Sequence, residues 1–594
     1  MRFPTLEQQN TDRQMIDVFG GYNHNLRISE NEFFDMKNLT STHYPVLSPR
    51  PQRGVYETGT TGEKIGLIAK DSLGYIEGGE FHLNQYSTVG LNIDADAVAD
   101  KTSIVSMGAY VVIIARDIDG NIVSKKWVNT NDLNDFGDID ASVEYEPGAE
   151  ITITMCDAEG NDLDNLVESQ NEKTNGAMYI DKTGDKITLM QYSESSAMWS
   201  TVSTTYIRLE APGIGIPFNQ YDGVRFSGFN FPPLDDINEK VCIIQAKTDD
   251  SIVIVGIIDV PYFAVNGGVF SFKREMPLMD FVIESENRLW GCRYGMALNG
   301  EIVNEIYASK LGDFKNWNCF MGVSTDSYAA TVGTDGQFTG AVTHLGYPLF
   351  FKENCMHKVY GNYPANYQIQ TTACRGVQKG CQNSLAIVNE TLYYKSRSAV
   401  CAYDGSLPSE VSSDLGDVSY SNAVACSHGN KYYISMMDGN EEYTLFVYDA
   451  AKGMWHKEDD LRVDAFCSCR GELYYIDYYD KQIKTILGSG TKDTTPVQWM
   501  AETGNIGTDS PDKKHISRLN IRMALDIGTR VHVYIQYDSI GSFEQIVSLS
   551  GSSLRSFSIP IRPKRCDHMK LRIVGTGDAK IYSITKTIEE GSDI

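Results

Sequence analysis

The sequence predicts an all-β chain whose main body is a β-propeller of about six to eight blades. Three observations carry that prediction. An aromatic-rich strand pattern returns at about forty-residue intervals, marked by Leu392, Tyr432 and Leu473. That interval suits a four-stranded blade. Within the repeat, strand-like runs flank turn residues. In "KYYISMMDGNEEYTLFVYDAAKGMW", Lys431 to Trp455, Asp438-Gly439-Asn440 separates two such runs, a strong short-range hairpin signal. After about Pro496 the pattern changes to long segments of period two, the mark of half-buried antiparallel strands.

Taken in order, residues 1–54 read as an extended arm. "SENEFFDMKNL" starts a short helix at Ser29, with Ser29 and Glu32 as a capping box. Gly20-Gly21 permits backbone angles closed to other residues, and Pro45, Pro49 and Pro51 hold the following segment extended. Residues 55–130 and 265–490 form the propeller, with blades running from about Lys64 to Gly488. The early repeats are centred near Leu73 and Tyr110, the later ones begin at Asn287 and Tyr347, and the best count is seven. Residues 131–264 interrupt the repeat with hairpin signals at "CDAEGND" and "DKTGDK" and predict a small β-barrel or β-sandwich inserted in a blade loop, where added chain costs little. Residues 495–594 predict a separate β-sandwich of a common size.

Composition narrows the function. The 594 residues carry 52 Lys plus Arg against 78 Asp plus Glu, a formal net charge of −26. Gripping nucleic acid needs clustered cations, so such a task is excluded, whereas a surface past which DNA slides is not. The polar start "MRFPTLEQQNTDRQ" lacks the apolar core of a signal peptide, and the longest apolar run, Ile252 to Ile258, is far too short to span a bilayer. A soluble chain with no membrane insertion is expected. The twelve cysteines are scattered with no C-x-x-C pair and read as buried free thiols.

Few residues suggest chemistry. Cys355 with His357, Cys426 with His428 and Cys566 with His568 share strand faces, but each pair lies on a different repeat or domain and lacks a third ligand. Asp117, Asp119 and Asn121 start like a calcium loop, but Ile122 and Val128 stand where Gly and Glu are required, so Asp119-Gly120 reads as a hairpin turn. The acidic stretch from Asp132 to Asp164 reads as a solvated face, with a hard cation as the alternative. "SKLGDFKNW", Ser309 to Trp317, approaches the Asp-box of sialidase propellers, but Leu311 replaces its Asp and Gly312 is one residue early. No nucleophile elbow, phosphate loop or zincin motif stands in a supporting context. The sequence therefore predicts no catalytic residue, no metal, no cofactor and no enzymatic activity.

The segment "FGGYNHNLRISENEFFDMKNLTSTHYPVLSPRPQRG", Phe19 to Gly54, resembles the opening of tailed-bacteriophage virion proteins of the tail-hub, nozzle or "stabilisation protein" type. "NRLWGCRYG…NEIYASKLGDFKNW" and "RPKRCDHMKLRIVGTG…IYSI" resemble further parts of the same proteins. The resemblance implies a virion structural protein, made in the bacterial host cytoplasm, that forms a homo-oligomeric ring in the tail or neck, hexameric as in nozzle proteins. The ring would adjoin the portal, its adaptor or other tail proteins, and genomic DNA would pass through it without specific binding. The arm is then the assembly element, with Gly20, Gly21, Phe33, Phe34, Met36 and Arg50 as its candidate residues, and a chain starting at Arg53 should fold but not assemble. An equally weighted alternative has the arm close the propeller by adding a strand to the last blade. The second functional reading is a glycan- or host-surface-binding protein at the tail tip. A glycoside hydrolase would need a carboxylate pair in one pocket.

Overall fold

The computed structural model describes residues 11–590 except 57–63, 69–71, 85–86, 99–100, 182, 184–187, 203–205, 231–236, 256–261, 267–268, 297–299, 493–494, 509–512 and 563. The first ten residues of the arm and the last part of the apolar run ending at Ile258 lie outside the described residues.

Seven sheets form the blades of a β-propeller, and each of the first six has four antiparallel strands in sequence order. They span Lys64–Val89, Ser103–Asp138, Phe281–Thr331, Gly340–Ala373, Ala386–Glu410 and Ser421–Lys457, and the seventh starts at Val463. The first strands of successive blades pack side by side around the axis, and Val463–Cys469 of blade 7 meets Lys64–Ile68 of blade 1 to close the circle. Second strands are buried on both faces, so they read as continuous apolar runs such as Tyr110–Arg116 and Lys431–Met437.

The hairpin turns obey one rule. Asp117 accepts hydrogen bonds from the Asn121 amide (2.8 Å) and side chain (2.9 Å), and Asp157 does the same with Asn161 (2.8 and 3.0 Å). Asp438 closes its turn by accepting from the Glu442 amide at 3.0 Å. An Asp at the first turn position satisfies backbone donors that the ladder leaves open. The resemblance of Asp117–Asn121 to a calcium loop is this turn.

Blade 7 is completed by the arm. Gly54–Val55 lies between Ile483–Thr485 and Thr491–Lys492, so a strand from near the start of the chain fastens the last blade. Gly54 is needed there because a Cβ would sit 1.9 Å from the Ser489 carbonyl oxygen.

The C-terminal region is a sandwich of two sheets, and the arm supplies an edge strand to both. Thr11–Ile16 pairs with Ala579–Glu590 in the four-stranded sheet, and Phe33–Lys37 pairs with Gln498–Thr503 in the five-stranded one. The sandwich is not separate from the propeller. Ile521, Val533 and Ile573 share one continuous core with Phe351, Tyr394 and Trp455 of the blades, and Phe19, Tyr22, Phe33 and Leu39 of the arm belong to that same core.

The expected helix at Ser29 is a correction. The Ser29 amide does donate to Glu32 Oε2 at 2.8 Å, but this bond closes a turn, and Phe33–Lys37 is a strand. The open edge of Gln498–Thr503 offers the segment ladder bonds that a short isolated helix would have to supply alone.

The insertion also has different limits. Asp132–Asp138 is the outer strand of blade 2, while Tyr262–Asn266 and Phe270–Arg274 belong to the inserted domain, not to the propeller. The insertion therefore starts after Asp138 and ends at about Arg274. It is one antiparallel sheet of eight strands rolled around its own core of Ile151, Ile153, Leu209, Phe226, Ile254 and Phe272. A smaller four-stranded sheet, from Leu166–Val167 to Met198–Thr201, projects from one of its loops. At its root Arg274 is buried, paired with Asp222 and donating to the Ile139 carbonyl (3.0 Å).

Candidate functional site

The residues expected to form an assembly arm are turned into the chain's own body. Phe33 is 2% exposed and Met36 0%, both inside the shared core, so neither is available as an external anchor. Phe34 is half-buried and stacks on His24 at 4.3 Å, with the Lys570 ammonium 4.4 Å from its ring. Gly20 and Gly21 matter for close approach. A Cβ on Gly21 would meet the Trp455 carbonyl oxygen at 2.3 Å, one on Gly20 would meet Glu32 Cγ at 2.9 Å, and neither residue has positive φ. Arg50 reaches Asp459 at 3.1 Å and Glu458 at 3.7 Å, and Arg53 shares both acids. In this buried cluster the two guanidiniums hold Asp459 below the usual carboxylate range against the opposing effect of burial, while burial dominates at Glu458 and raises it. The cluster ties the arm to the end of blade 6. Of the two roles weighed for the arm, closing the chain on itself is the one seen.

The Cys-x-His pairs are engaged separately. His357 bonds Thr334 and Thr371, both at 2.9 Å, with Cys355 Sγ at 3.9 Å. His428 bonds Ser468 at 3.0 Å, and His568 bonds Ser539 at 2.8 Å and Asp567 at 2.9 Å. Among the described residues, no group of three His, Cys, Asp or Glu is placed to hold a metal ion. "SKLGDFKNW" is a structural loop of blade 3 in which Trp317 is buried and donates to the Phe314 carbonyl at 2.8 Å.

A concave surface lies at one end of the propeller axis. The first strands begin there, and the turns between second and third strands of blades 1, 2 and 7 rise around them. Two chambers open at this end, of about 920 and 560 Å³, and share Gly380, Gln382, Asn383 and Asn422 as their common wall. Such volumes are those of small-molecule sites, and the start of the inner strands is where blade loops converge.

The larger chamber has a cationic wall. The Arg462 guanidinium lies 3.3 Å from the Tyr478 ring centroid and 4.6 Å from that of Tyr443. Lys481 covers Tyr478 at 4.6 Å and forms an ion pair with Asp464. The amides of Gln382, Asn383 and Asn422, the apolar Ala97, Val98, Ile118, Val424 and Val463, and the acid Glu77 also line it.

The smaller chamber contains Arg116, Asp280 and Tyr294. Arg116 is buried, donates to the Met279 carbonyl at 2.8 Å, and is lowered to about 10 by that burial. Burial likewise raises Asp280 above the usual carboxylate range, although the Tyr294 amide donates to it at 2.8 Å and Arg293 lies 3.8 Å away. Asp280 therefore keeps its proton to higher pH than an exposed aspartate, which suits a proton donor. The cavity residues had no motif to reveal them, because they are single positions on six blades. The one available signal was the start of each inner strand, which the repeat locates.

No protein-family model matches the chain, and no curated protein matches it. Solved structures do match, at low similarity. They include a glycoside hydrolase family 43 arabinoxylan arabinofuranohydrolase from Bacillus subtilis, 9% identical, covering 52% of this chain and 94% of that one, with a TM-score of 0.19. An exo-β-1,3-galactanase from Phanerochaete chrysosporium is 9% identical over 75% of this chain and 99% of its own, with a TM-score of 0.18. The extracellular domain of a putative hybrid two-component system from B. thetaiotaomicron is 10% identical over 92% and 93%, with a TM-score of 0.23. The all-β propeller class expected from the sequence is shown by the sheets themselves. Glycoside hydrolases are among the matches, which stands against the expectation that the chain is not an enzyme. At this identity and TM-score they bring no activity, substrate or site to this chain.

Proposed function

We propose that the protein is a virion structural subunit of a tailed phage that assembles into a homo-oligomeric ring, hexameric by its resemblance to nozzle proteins. The ring adjoins the portal, its adaptor or other tail proteins and surrounds the path of the DNA. The observation that supports this reading is an apolar knob on blade 3. Phe320, Met321 and Val323 are 59%, 51% and 54% exposed, side by side on one loop. The loop is held from beneath by buried groups. Asp326 accepts from the Gly322 amide at 2.6 Å and the Val323 amide at 3.1 Å, and Arg288 donates to the Ser324 and Ser309 carbonyls, both at 2.8 Å. A rigid loop carrying large apolar side chains loses little entropy when it is buried by a partner. Subunits of net charge −26 repel one another, so contacts between copies need apolar area of this kind. With Phe33 and Met36 inside the chain, the knob replaces them as the contact.

Two measurements test this reading. Mass measurement in solution should give an oligomer for the native chain and a folded monomer for the F320S/M321S variant, and a native chain that stays monomeric at high concentration argues against the ring. Imaging of particles that carry the protein should place it on the tail axis near the portal. A position at the tail periphery favours the host-surface reading instead.

A further inference from the structure

We infer that the larger axial chamber is a binding site for an acidic saccharide, with the Arg462 guanidinium receiving the carboxylate. The inference is independent of the ring proposal, because it concerns the propeller axis and not the outer face of blade 3.

The cationic wall carries the argument. Two acids line the chamber with Arg462: Asp464, which is paired with Lys481, and Glu77 on the blade 1 turn. Among the described residues, no carboxylate is within ion-pair distance of Arg462, although the chain has a large excess of acids. Its plane is held by ring faces at 3.3 and 4.6 Å, which orient a guanidinium without consuming its N–H donors. An oriented arginine with unused donors at the rim of a cavity suits a bidentate bond to a planar carboxylate. The other walls fit the remainder of a sugar acid. The amides of Gln382, Asn383 and Asn422 match hydroxyl groups, which both donate and accept. Ala97, Val98 and Ile118 offer an apolar face to the C–H side of a pyranose ring. A chamber of about 920 Å³ holds more than one such ring. A bare inorganic anion would use only the first wall.

The test is calorimetric titration of the full chain with D-glucuronate, D-galacturonate and N-acetylneuraminate, with D-glucose, D-galactose and inorganic phosphate as controls. At least one sugar acid should bind, with neutral sugars and phosphate weaker by at least about ten-fold. The R462Q variant, verified as folded by its melting curve, should lose about 10- to 100-fold in affinity, the effect of one charge-assisted pair. R462K should recover only part of this, because an ammonium lacks the planar fork. The inference fails if no sugar acid binds, if phosphate binds as well as the sugar acids, or if R462Q binds like the native chain. Failure here leaves the solution mass of the F320S/M321S variant unaffected, so the two ideas stand or fall separately.

Discussion

Two segments stand outside the propeller repeat, and the chain handles them in opposite ways. The insertion after Asp138 forms its own sheet around its own core and meets the repeat at its root, where Asn316 of blade 3 donates to the Tyr221 carbonyl at 2.7 Å. The arm has no core of its own. Its strands join three sheets of other regions, and its apolar residues fill a core shared by blades and sandwich. Length explains part of the difference, since a short segment buries too little surface to be stable alone. Open sheet edges explain the rest. The last blade and both sandwich sheets each lack a strand that the arm supplies, and an unpaired edge is costly to leave exposed. A segment can therefore look like a free arm in sequence and still be the part that holds the domains together.

The strongest way to break this comparison is to delete each segment. A chain starting at Arg53 should fail to give a cooperatively melting, soluble product, because it loses two sandwich edge strands and the buried Arg50. This reverses the outcome expected from the sequence. Excision of residues 140–275 with a two-residue linker should leave a folded propeller and sandwich, since the Met276 amide lies 2.8 Å from Asp140 Oδ1 and the ends are already adjacent. Equal melting behaviour of the two deletions would abolish the distinction.

Next in size is the root of the insertion. D222A leaves the Arg274 charge buried without its partner and should cost about 3–5 kcal/mol of unfolding free energy. Denaturation followed in the full chain should show the inserted domain melting first, and a variant as stable as the native chain would mean the root is solvated.

Acid should separate the two regions as well. Burial lowers His456 from 6.5 to about 3 and His357 from 6.5 to about 4. Both bind their proton more readily in the unfolded state, so the native state holds its full advantage above pH 6.5 and loses it as pH falls toward the folded values. At pH 5 the loss is about 2 kcal/mol for each. His456 lies on the blade to which the arm docks, whereas residues 139–276 contain no histidine. Chemical denaturation at pH 7 and pH 5 should therefore weaken the arm-bound body, and H456Q should flatten that slope. An unchanged slope would mean that His456 is reached by solvent.

The smallest expected effect is at the closing strand. G54A places a methyl group against the Ser489 carbonyl and should destabilise by about 1–3 kcal/mol, read as a lower denaturation midpoint with blade 7 exchanging its amide hydrogens first.

Much of this molecule was legible because it depends on local rules. The aromatic pair in the second strands of blades 4 to 7, as in Tyr432-Tyr433, marks a buried position, and the Asp-Gly turns fix the hairpins. The switch to period two after Pro496 marked the sandwich. The sequence also located an insertion, but set its limits early by a strand at each end, because Asp132–Asp138 carries hairpin-like polar residues and blade edges are exposed.

Other features were decided by partners distant in sequence. Ser29 and Glu32 encode a local turn that helix and strand share, and the open edge of Gln498–Thr503 settled the outcome as a strand. Phe33 and Met36 are apolar in any conformation, but only the fold determines whether they face outward or inward. The axial cavity is the extreme case. Arg462, Asn422 and Asp280 follow no motif, because a propeller brings single residues from many blades to one axis. Sequence by itself determined the strands, the turns and the repeat. The tertiary structure decided where the arm lies and which side chains meet on the axis, because both depend on pairing and closure between residues hundreds of positions apart.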